Sequence, residues 1–216
     1  MLAPEPMARL RDAAQTSRRP APRRPLLTLA LLALITSVYV FVPGPESLAF
    51  NATAVSDGEV WRLFSGHFVH ADGQHLVWNG FGLAVLAYLI ERRSRGLLLG
   101  SLTAGILIVD LLLLSPLSML EQYCGLSGVL NTLLVTALAL EWRHGGGWPV
   151  LLVAGGSIAK LFWELSHGQA LLTHISWPPF PAAHAAGMIG GFALLMIAKF
   201  RKVYPAPSYP VKSPHE

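Results

Sequence analysis

The sequence predicts an all-α membrane protein, a six-transmembrane-helix bundle with both termini in the cytoplasm. Three observations support this prediction: the composition, the spacing of the apolar segments and the distribution of basic residues. The 216 residues are 53% hydrophobic and only 13% charged, with a mean hydropathy of +0.49. Soluble domains carry about 25% charged residues. The chain is therefore built to contact lipid.

Six apolar segments divide the chain: Leu26–Val42, His75–Ile90, Gly96–Leu114, Ser127–Leu140, Trp148–Leu165 and Ala182–Phe200. Several are shorter than the roughly 20 residues that a membrane span prefers, so we expect the second and fourth to include neighbouring loop residues. No Ala-x-Ala-like cleavage site follows the first segment, which predicts a retained helix rather than a signal peptide. The predicted organisation is a disordered basic cytoplasmic tail at residues 1–25, a membrane domain at 26–200 and a short cytoplasmic tail at 201–216.

Basic residues set the predicted topology, because they concentrate in cytoplasmic loops. Fourteen of the sixteen Lys and Arg residues lie in the two tails, at the end of the sixth segment, or directly after the second and fourth segments. Only Arg62 lies in a loop on the other side, and Lys160 lies within a segment. This distribution indicates six spans with both termini inside.

Three polar side chains from separate helices are predicted to lie at one depth. Ser127, His184 and His75 lie 16, 15 and 17 residues from the cation that marks the cytoplasmic edge of their helix (Arg143, Lys199 and Arg92). At about 1.5 Å per residue these spacings correspond to about 22–26 Å, within a hydrocarbon core of about 30 Å. Polar groups at such depth usually face the interior of a bundle or a wet cavity.

The residue types in this layer indicate nucleophilic catalysis. A serine hydroxyl becomes a nucleophile when a neutral histidine takes its proton, and Ser127 and His184 are the candidates. No acidic residue is evident at the depth of His184, so the prediction is a Ser-His dyad. Gly187 and Gly191 lie three and seven residues after His184 on one helix face. Small residues at this spacing allow close helix packing, which would bring His184 to Ser127.

The same layer contains candidates for an oxyanion hole. His75 and Asn79 are four residues apart and share one helix face, so both side chains can donate to a developing oxyanion. The backbone N–H groups of Leu126 and Ser127 lie at a helix N-terminus, where they lack intrahelical partners. We expect these donors to converge beside the hydroxyl of Ser127.

Four separated motifs resemble those of the rhomboid intramembrane serine proteases. They are Gly125-Leu126-Ser127-Gly128, His184-x-x-Gly187-x-x-x-Gly191, His70-x4-His75-x3-Asn79 and Trp61-Arg62. The resemblance covers roughly Leu26 to Phe200. It implies Ser127 as nucleophile, His184 as base, His75 and Asn79 in the oxyanion hole, and cleavage of a peptide bond in or beside a substrate's transmembrane segment.

Within that family the compact six-span form, Tyr123 and Lys160-x3-Glu164 look most like rhombosortases. This resemblance implies surface-protein substrates with a C-terminal sorting signal of Gly-Gly, a hydrophobic helix and a basic tail. It also implies a bacterial inner membrane, with the site open toward the periplasm and substrate arriving laterally from lipid. Asn131 departs from the family, since many rhomboids place there a tyrosine that packs on the histidine. We expect Asn131 to hydrogen-bond His184 or a water instead.

Other polar residues have simpler interpretations. We expect Lys160 to form an ion pair with Glu164 or Asp110, although the cluster could instead recognise the substrate. His70 is expected to tie the first loop to the second helix, His67 to be an exposed loop residue, and Cys124 to be a packing residue.

Two alternative functions remain open. A metal-binding or transport protein would use His67, His70, His75 and His184, but their spacing lacks His-Glu-x-x-His and a completing carboxylate. An inactive rhomboid relative would only bind transmembrane helices. The preferred interpretation requires the lipid bilayer and a transmembrane protein substrate, and no cofactor, metal or nucleic acid. The oligomeric state is left open.

Overall fold

The computed structural model describes residues 24–171 and 176–197. Within these ranges the chain forms eight α-helices: α1 (Leu26–Phe41), α2 (Ala52–Ser56), α3 (Arg62–Ser65), α4 (Gly73–Glu91), α5 (Arg95–Leu113), α6 (Ser127–Arg143), α7 (Gly147–His167) and α8 (Pro181–Ile197). Two short strands, β1 (Phe50–Asn51) and β2 (Gln122–Tyr123), pair antiparallel. Most of the predicted N-terminal tail, the C-terminal tail, and Lys199 and Phe200 lie outside the described residues.

The six long helices coincide with the six predicted segments, which confirms an all-α chain. The second and fourth segments do extend into neighbouring residues, as expected: α4 begins at Gly73 and α6 runs on to Arg143. Local caps explain two of the starts. The Asp72 side chain accepts from His75 N at 2.8 Å, and the Ser94 side chain accepts from Leu97 N at 3.1 Å.

Membrane character is supported by the helices themselves. Among the described residues, α5 and α7 are long and apolar enough to cross a membrane, and α1 and α8 are apolar but shorter. The six-span topology and the cytoplasmic location of the termini stay predictions.

Helix α6 lies at the centre of the bundle, packed against α4, α5, α7 and α8. Its contact with α8 is especially close, since a Cβ added to Gly187 would lie 1.9 Å from the Gly128 carbonyl oxygen. The Thr132 hydroxyl donates to the Gly187 carbonyl at 2.7 Å across the same interface. The stripe of small residues therefore has the packing role predicted for it.

Helix α1 is held by a carboxylate from another helix. Glu91, fully buried at the end of α4, accepts from the backbone N–H groups of Leu27 and Thr28 at 3.0 and 2.8 Å. Helix N-termini leave such N–H groups without intrahelical partners, and their dipole favours negative charge. Glu91 thus caps a helix that has no side-chain cap of its own.

The loop between α1 and α4 folds over the end of the bundle and is fixed by Arg62. This guanidinium bonds the Glu59 carboxylate and donates to the carbonyls of Glu46 and Ala49. Arg62 therefore anchors this loop. Strand β1 of this loop pairs with β2, which directly precedes the start of α6.

Candidate active site

Two hydrogen bonds hold the backbone of Gly125, in the segment that leads into α6. Gly125 has a φ of +109°, a conformation that favours glycine. Its N–H donates to the Gly66 carbonyl at 2.9 Å, and its carbonyl accepts from the Tyr123 hydroxyl at 3.0 Å. A Cβ at this position would also lie 2.4 Å from His75 Nε2. The backbone beside Ser127 is therefore fixed before α6 begins.

Ser127 and His184 meet across the close α6–α8 contact. Ser127 Oγ lies 3.0 Å from His184 Nε2, which is hydrogen-bonding distance for a nucleophile and its base. Ser127 is the first residue of α6, and His184 lies in the first turn of α8. The structure thus brings together Ser127 and His184, which the sequence predicts to lie at the same depth in the membrane.

A carboxylate completes this contact, so the expectation that no acid reaches His184 was wrong. Glu164 Oε2 lies 2.9 Å from His184 Nδ1. The same carboxylate pairs through Oε1 with Lys160 Nζ at 2.5 Å, which confirms the expected Lys160–Glu164 ion pair. Glu164 lies 16 residues after Trp148, about 24 Å along the helix. This depth matches that of Ser127, but it does not show that the carboxylate faces His184.

The opposite side of Ser127 presents hydrogen-bond donors. His75 and Asn79 are both buried next to Gly125. The Ala71 N–H donates a long hydrogen bond to His75 Nδ1, at 3.5 Å. Because Nδ1 accepts, Nε2 is the nitrogen that carries the proton in a neutral ring. Asn79 Nδ2 is buried and has no hydrogen-bond partner among the described residues. An unpartnered buried donor is costly, so its presence beside the hydroxyl calls for a functional explanation.

A cavity of about 330 Å³ opens onto these groups. Its polar lining comprises Ser127, His184, His75, Asn79, Asn131, Lys160 and Glu164, and aromatic side chains such as Trp78, Trp177 and Phe180 line the rest. A second cavity of about 190 Å³ between α4, α6 and α7 shares Lys160, Glu164 and His184. The reactive groups are therefore accessible to water and to a chain of peptide size.

Asn131 does not hydrogen-bond His184, which was one of the two partners expected for it. Its Nδ2 donates to the Ser127 carbonyl at 2.9 Å, four residues back in the same helix. One N–H of this amide is thus used within α6.

The expectation for His67 was also wrong. His67 is not an exposed loop residue but is buried, with Nε2 3.0 Å from Asp110 Oδ1. Asp110 therefore pairs with His67 and not with Lys160. The His67 ring also meets the edge of Tyr123, at 5.8 Å between ring centroids. The Tyr123 hydroxyl in turn donates to the Gly125 carbonyl. The His67–Asp110 pair therefore supports the loop before Ser127 through Tyr123.

His70 and Cys124 are buried beside the candidate site. Burial, together with the His75 ring 5.0 Å away, lowers the pKa of the His70 imidazole to about 3, so this ring is neutral. Burial raises the pKa of the Cys124 thiol to about 12. Thiolates rather than thiols are nucleophilic, so Cys124 fits the packing role expected of it.

The histidines do not converge on a metal site. Within residues 24–171 and 176–197, no group of three or more His, Cys, Asp or Glu side chains is arranged to hold a metal ion. His67 contacts Asp110 and His184 contacts Glu164 instead.

Comparison with protein families gives one match that covers more than half of the chain. The model of the Rhomboid domain matches residues 57–200. No curated protein matches the sequence significantly. The matched region contains every residue of the candidate site described above.

Proposed function

The chain belongs to the rhomboid family, whose members are generally intramembrane serine proteases, and on this premise we propose that it is an active serine endopeptidase. Ser127 is the nucleophile, His184 is the base, and the scissile bond lies in or beside a transmembrane segment of the substrate. The observation that carries the proposal is the 3.0 Å contact between Ser127 Oγ and His184 Nε2 at the wall of a cavity.

The proposed reaction uses this contact, with Ser127 Oγ as donor and His184 Nε2 as acceptor. As Ser127 Oγ attacks the carbonyl carbon, its proton passes to His184 Nε2. The tetrahedral intermediate then collapses, and His184 gives the proton to the leaving amine. A water molecule, deprotonated by His184 in the same way, hydrolyses the acyl-enzyme and regenerates the hydroxyl.

The developing oxyanion has donors prepared for it. Asn79 Nδ2 and the Nε2–H of His75 face the region beside Gly125, and the N–H groups of Leu126 and Ser127 lie at the helix start. Such preorganised donors stabilise the transition state more than the ground state. The unpartnered amide of Asn79 supports this role, since the oxyanion would satisfy it.

The membrane setting is part of the proposal. Six spans with cytoplasmic termini would place Ser127 near the outer face of a bacterial inner membrane, with the cavity open to the periplasm and substrate arriving from lipid. The proposed substrate class is surface proteins with a C-terminal Gly-Gly sorting signal, by resemblance to rhombosortases. Tyr123 on the Gly125 carbonyl and the Lys160–Glu164 pair at the cavity wall give this subgroup assignment its support.

Co-expression with a candidate Gly-Gly-tailed protein tests the proposal. Wild-type protein should cleave the tail at one position, mapped by mass spectrometry, and Ser127→Ala should abolish the cut. Ser166→Ala is the matched control, because Ser166 is exposed and bonds back to its own helix at Phe162 O. Cleavage that survives Ser127→Ala would reject the serine mechanism, and sensitivity to chelators rather than to serine-directed phosphonates would favour a metal-dependent protein.

A further inference from the structure

Helix α7 has one buried side chain. The structure describes all 21 residues of α7, and among them only Glu164 is buried, with 1% of its surface exposed. Ionised side chains inside a membrane are costly and usually mark function. A peripheral helix whose single buried residue is a carboxylate therefore needs an explanation beyond packing.

The ion pair with Lys160 does not explain this burial. The two residues are four apart on one helix, and the Lys160 side chain stays 41% exposed while that of Glu164 is 1% exposed. A pair that only neutralised charge could form with both groups directed toward water. The carboxylate is instead turned inward, to His184.

Both carboxylate oxygens have hydrogen-bond partners in this orientation. Oε2 faces His184 Nδ1 at 2.9 Å, while Oε1 accepts from Lys160 Nζ and from the backbone N–H of Leu171 at 3.0 Å. Two donors therefore fix one oxygen, and the other oxygen is presented to the imidazole. The groups that face His184 directly are Glu164 from α7 and Ser127 from α6.

We propose that Glu164 is a positioning residue for His184, which makes the site a Ser127–His184–Glu164 triad in place of a dyad. Glu164 keeps the proton of the neutral imidazole on Nδ1, so the lone pair of Nε2 faces Ser127 Oγ. Lys160 and Leu171 N–H hold the carboxylate in place. Glu164 stays ionised throughout, and the transferred proton moves only between Ser127, His184 Nε2 and the leaving group. This inference rests on the proposed serine protease function.

Glu164→Gln tests the role, because the geometry dictates how the amide would turn. Lys160 and Leu171 N–H are donors, so the amide oxygen would face them and the NH₂ group would face His184 Nδ1. Nδ1 would then have to accept, and the ring would carry its proton on Nε2, where it cannot take the proton of Ser127. We expect kcat to fall about 10⁴-fold, as when an amide replaces the acid of a Ser-His-Asp triad, with KM within about twofold of wild type.

Two controls separate this role from a structural one. Glu141→Gln removes a carboxylate that pairs with Arg92 at the other end of α6 and should leave kcat unchanged. Glu164→Ala should recover activity when formate is added, because the cavity that Glu164 lines can admit it, whereas neutral formamide should not restore it. Recovery by a small carboxylate is not expected of a residue that only ties helices together.

The outcomes also distinguish this inference from the proposed function. A kcat for Glu164→Gln within about tenfold of wild type, with Ser127→Ala inactive, would overturn the triad and leave the protease standing. Full cleavage by Ser127→Ala would reject the protease itself. If Glu164→Gln fails to fold, the Lys160→Met/Glu164→Leu double variant removes both charges and leaves no acceptor at residue 164 for the Nδ1 proton of His184, and wild-type kcat in that variant would equally overturn the triad.

Discussion

Gly187→Ala tests whether the closeness of α6 and α8 is what makes the site. A Cβ at residue 187 would lie 1.9 Å from the Gly128 carbonyl oxygen and 3.1 Å from Asn131 Cβ. The first of these neighbours is backbone, so no side-chain rotation can relieve the contact. The helices must move apart instead.

The size of that movement follows from the contact. An ordinary van der Waals distance of about 3.4 Å requires α8 to retreat by about 1.5 Å at this level. His184 lies one turn away on the same helix and would move with it. Ser127 Oγ and His184 Nε2, now 3.0 Å apart, would then exceed hydrogen-bonding distance. Misplacement by about 1 Å can reduce a rate about 100-fold, so we expect at least that loss in kcat.

The assay is cleavage of a transmembrane substrate by purified protein, with labelling by a serine-directed phosphonate as an independent measure of the activated hydroxyl. Gly155→Ala is the matched control, because it lies in α7 and a Cβ there meets nothing within 4 Å. That variant should keep full activity and gain a little helix stability. Wild-type kcat and labelling for Gly187→Ala would refute the reasoning, since the helices would have accommodated the methyl group without separating the pair.

Three further predictions concern neighbouring features. Asn79→Ala should lower kcat about 10²–10³-fold, as loss of an oxyanion donor does, without lowering the thermal midpoint, because Asn79 Nδ2 has no hydrogen-bond partner among the described residues to lose. Glu91→Gln should destabilise the protein by about 1–3 kcal/mol in denaturant titrations by weakening the cap on α1, while the folded fraction keeps its kcat. Acid should destabilise the wild type through His70: its pKa of about 3 in the fold lies below the ordinary 6.5, so the unfolded chain binds the proton first and stability falls as pH drops from about 6.5 toward 3. His70→Gln should flatten this dependence in thermal unfolding measured across that range, and an unchanged slope would contradict the burial of a neutral ring.

The helix positions and the meeting of Ser127 with His184 could be predicted, because both depend on distances along the chain. An apolar run fixes where a helix lies, and a cationic anchor with the rise per residue fixes the depth of each polar group. The spacing of Gly187 and Gly191 predicted which face of α8 would pack against a neighbouring helix. These local signals sufficed to bring a serine and a histidine 57 residues apart into contact.

Glu164 was missed because its sequence context already offered a partner. Lys160 lies four residues earlier, and an ion pair along one helix accounts for both charges without a third group. Depth alone does not fix the rotation of a helix about its axis, and that rotation turns the carboxylate toward His184. His67 was missed for another reason, since its burial depends on how the loop between α1 and α4 folds over the bundle.

Two carboxylate–histidine pairs lie near the segment that leads into α6, and their surroundings indicate different roles for them. The His67 side chain is 1% exposed, and its contacts are Asp110 and the edge of Tyr123. The His184 side chain is 14% exposed and lines the cavity with Ser127. An imidazole that exchanges protons with a substrate must have access to it, whereas one that supports a loop gains from enclosure. The same pair of functional groups therefore supports a loop at His67 and contains the proposed base at His184, and access to the cavity distinguishes the two.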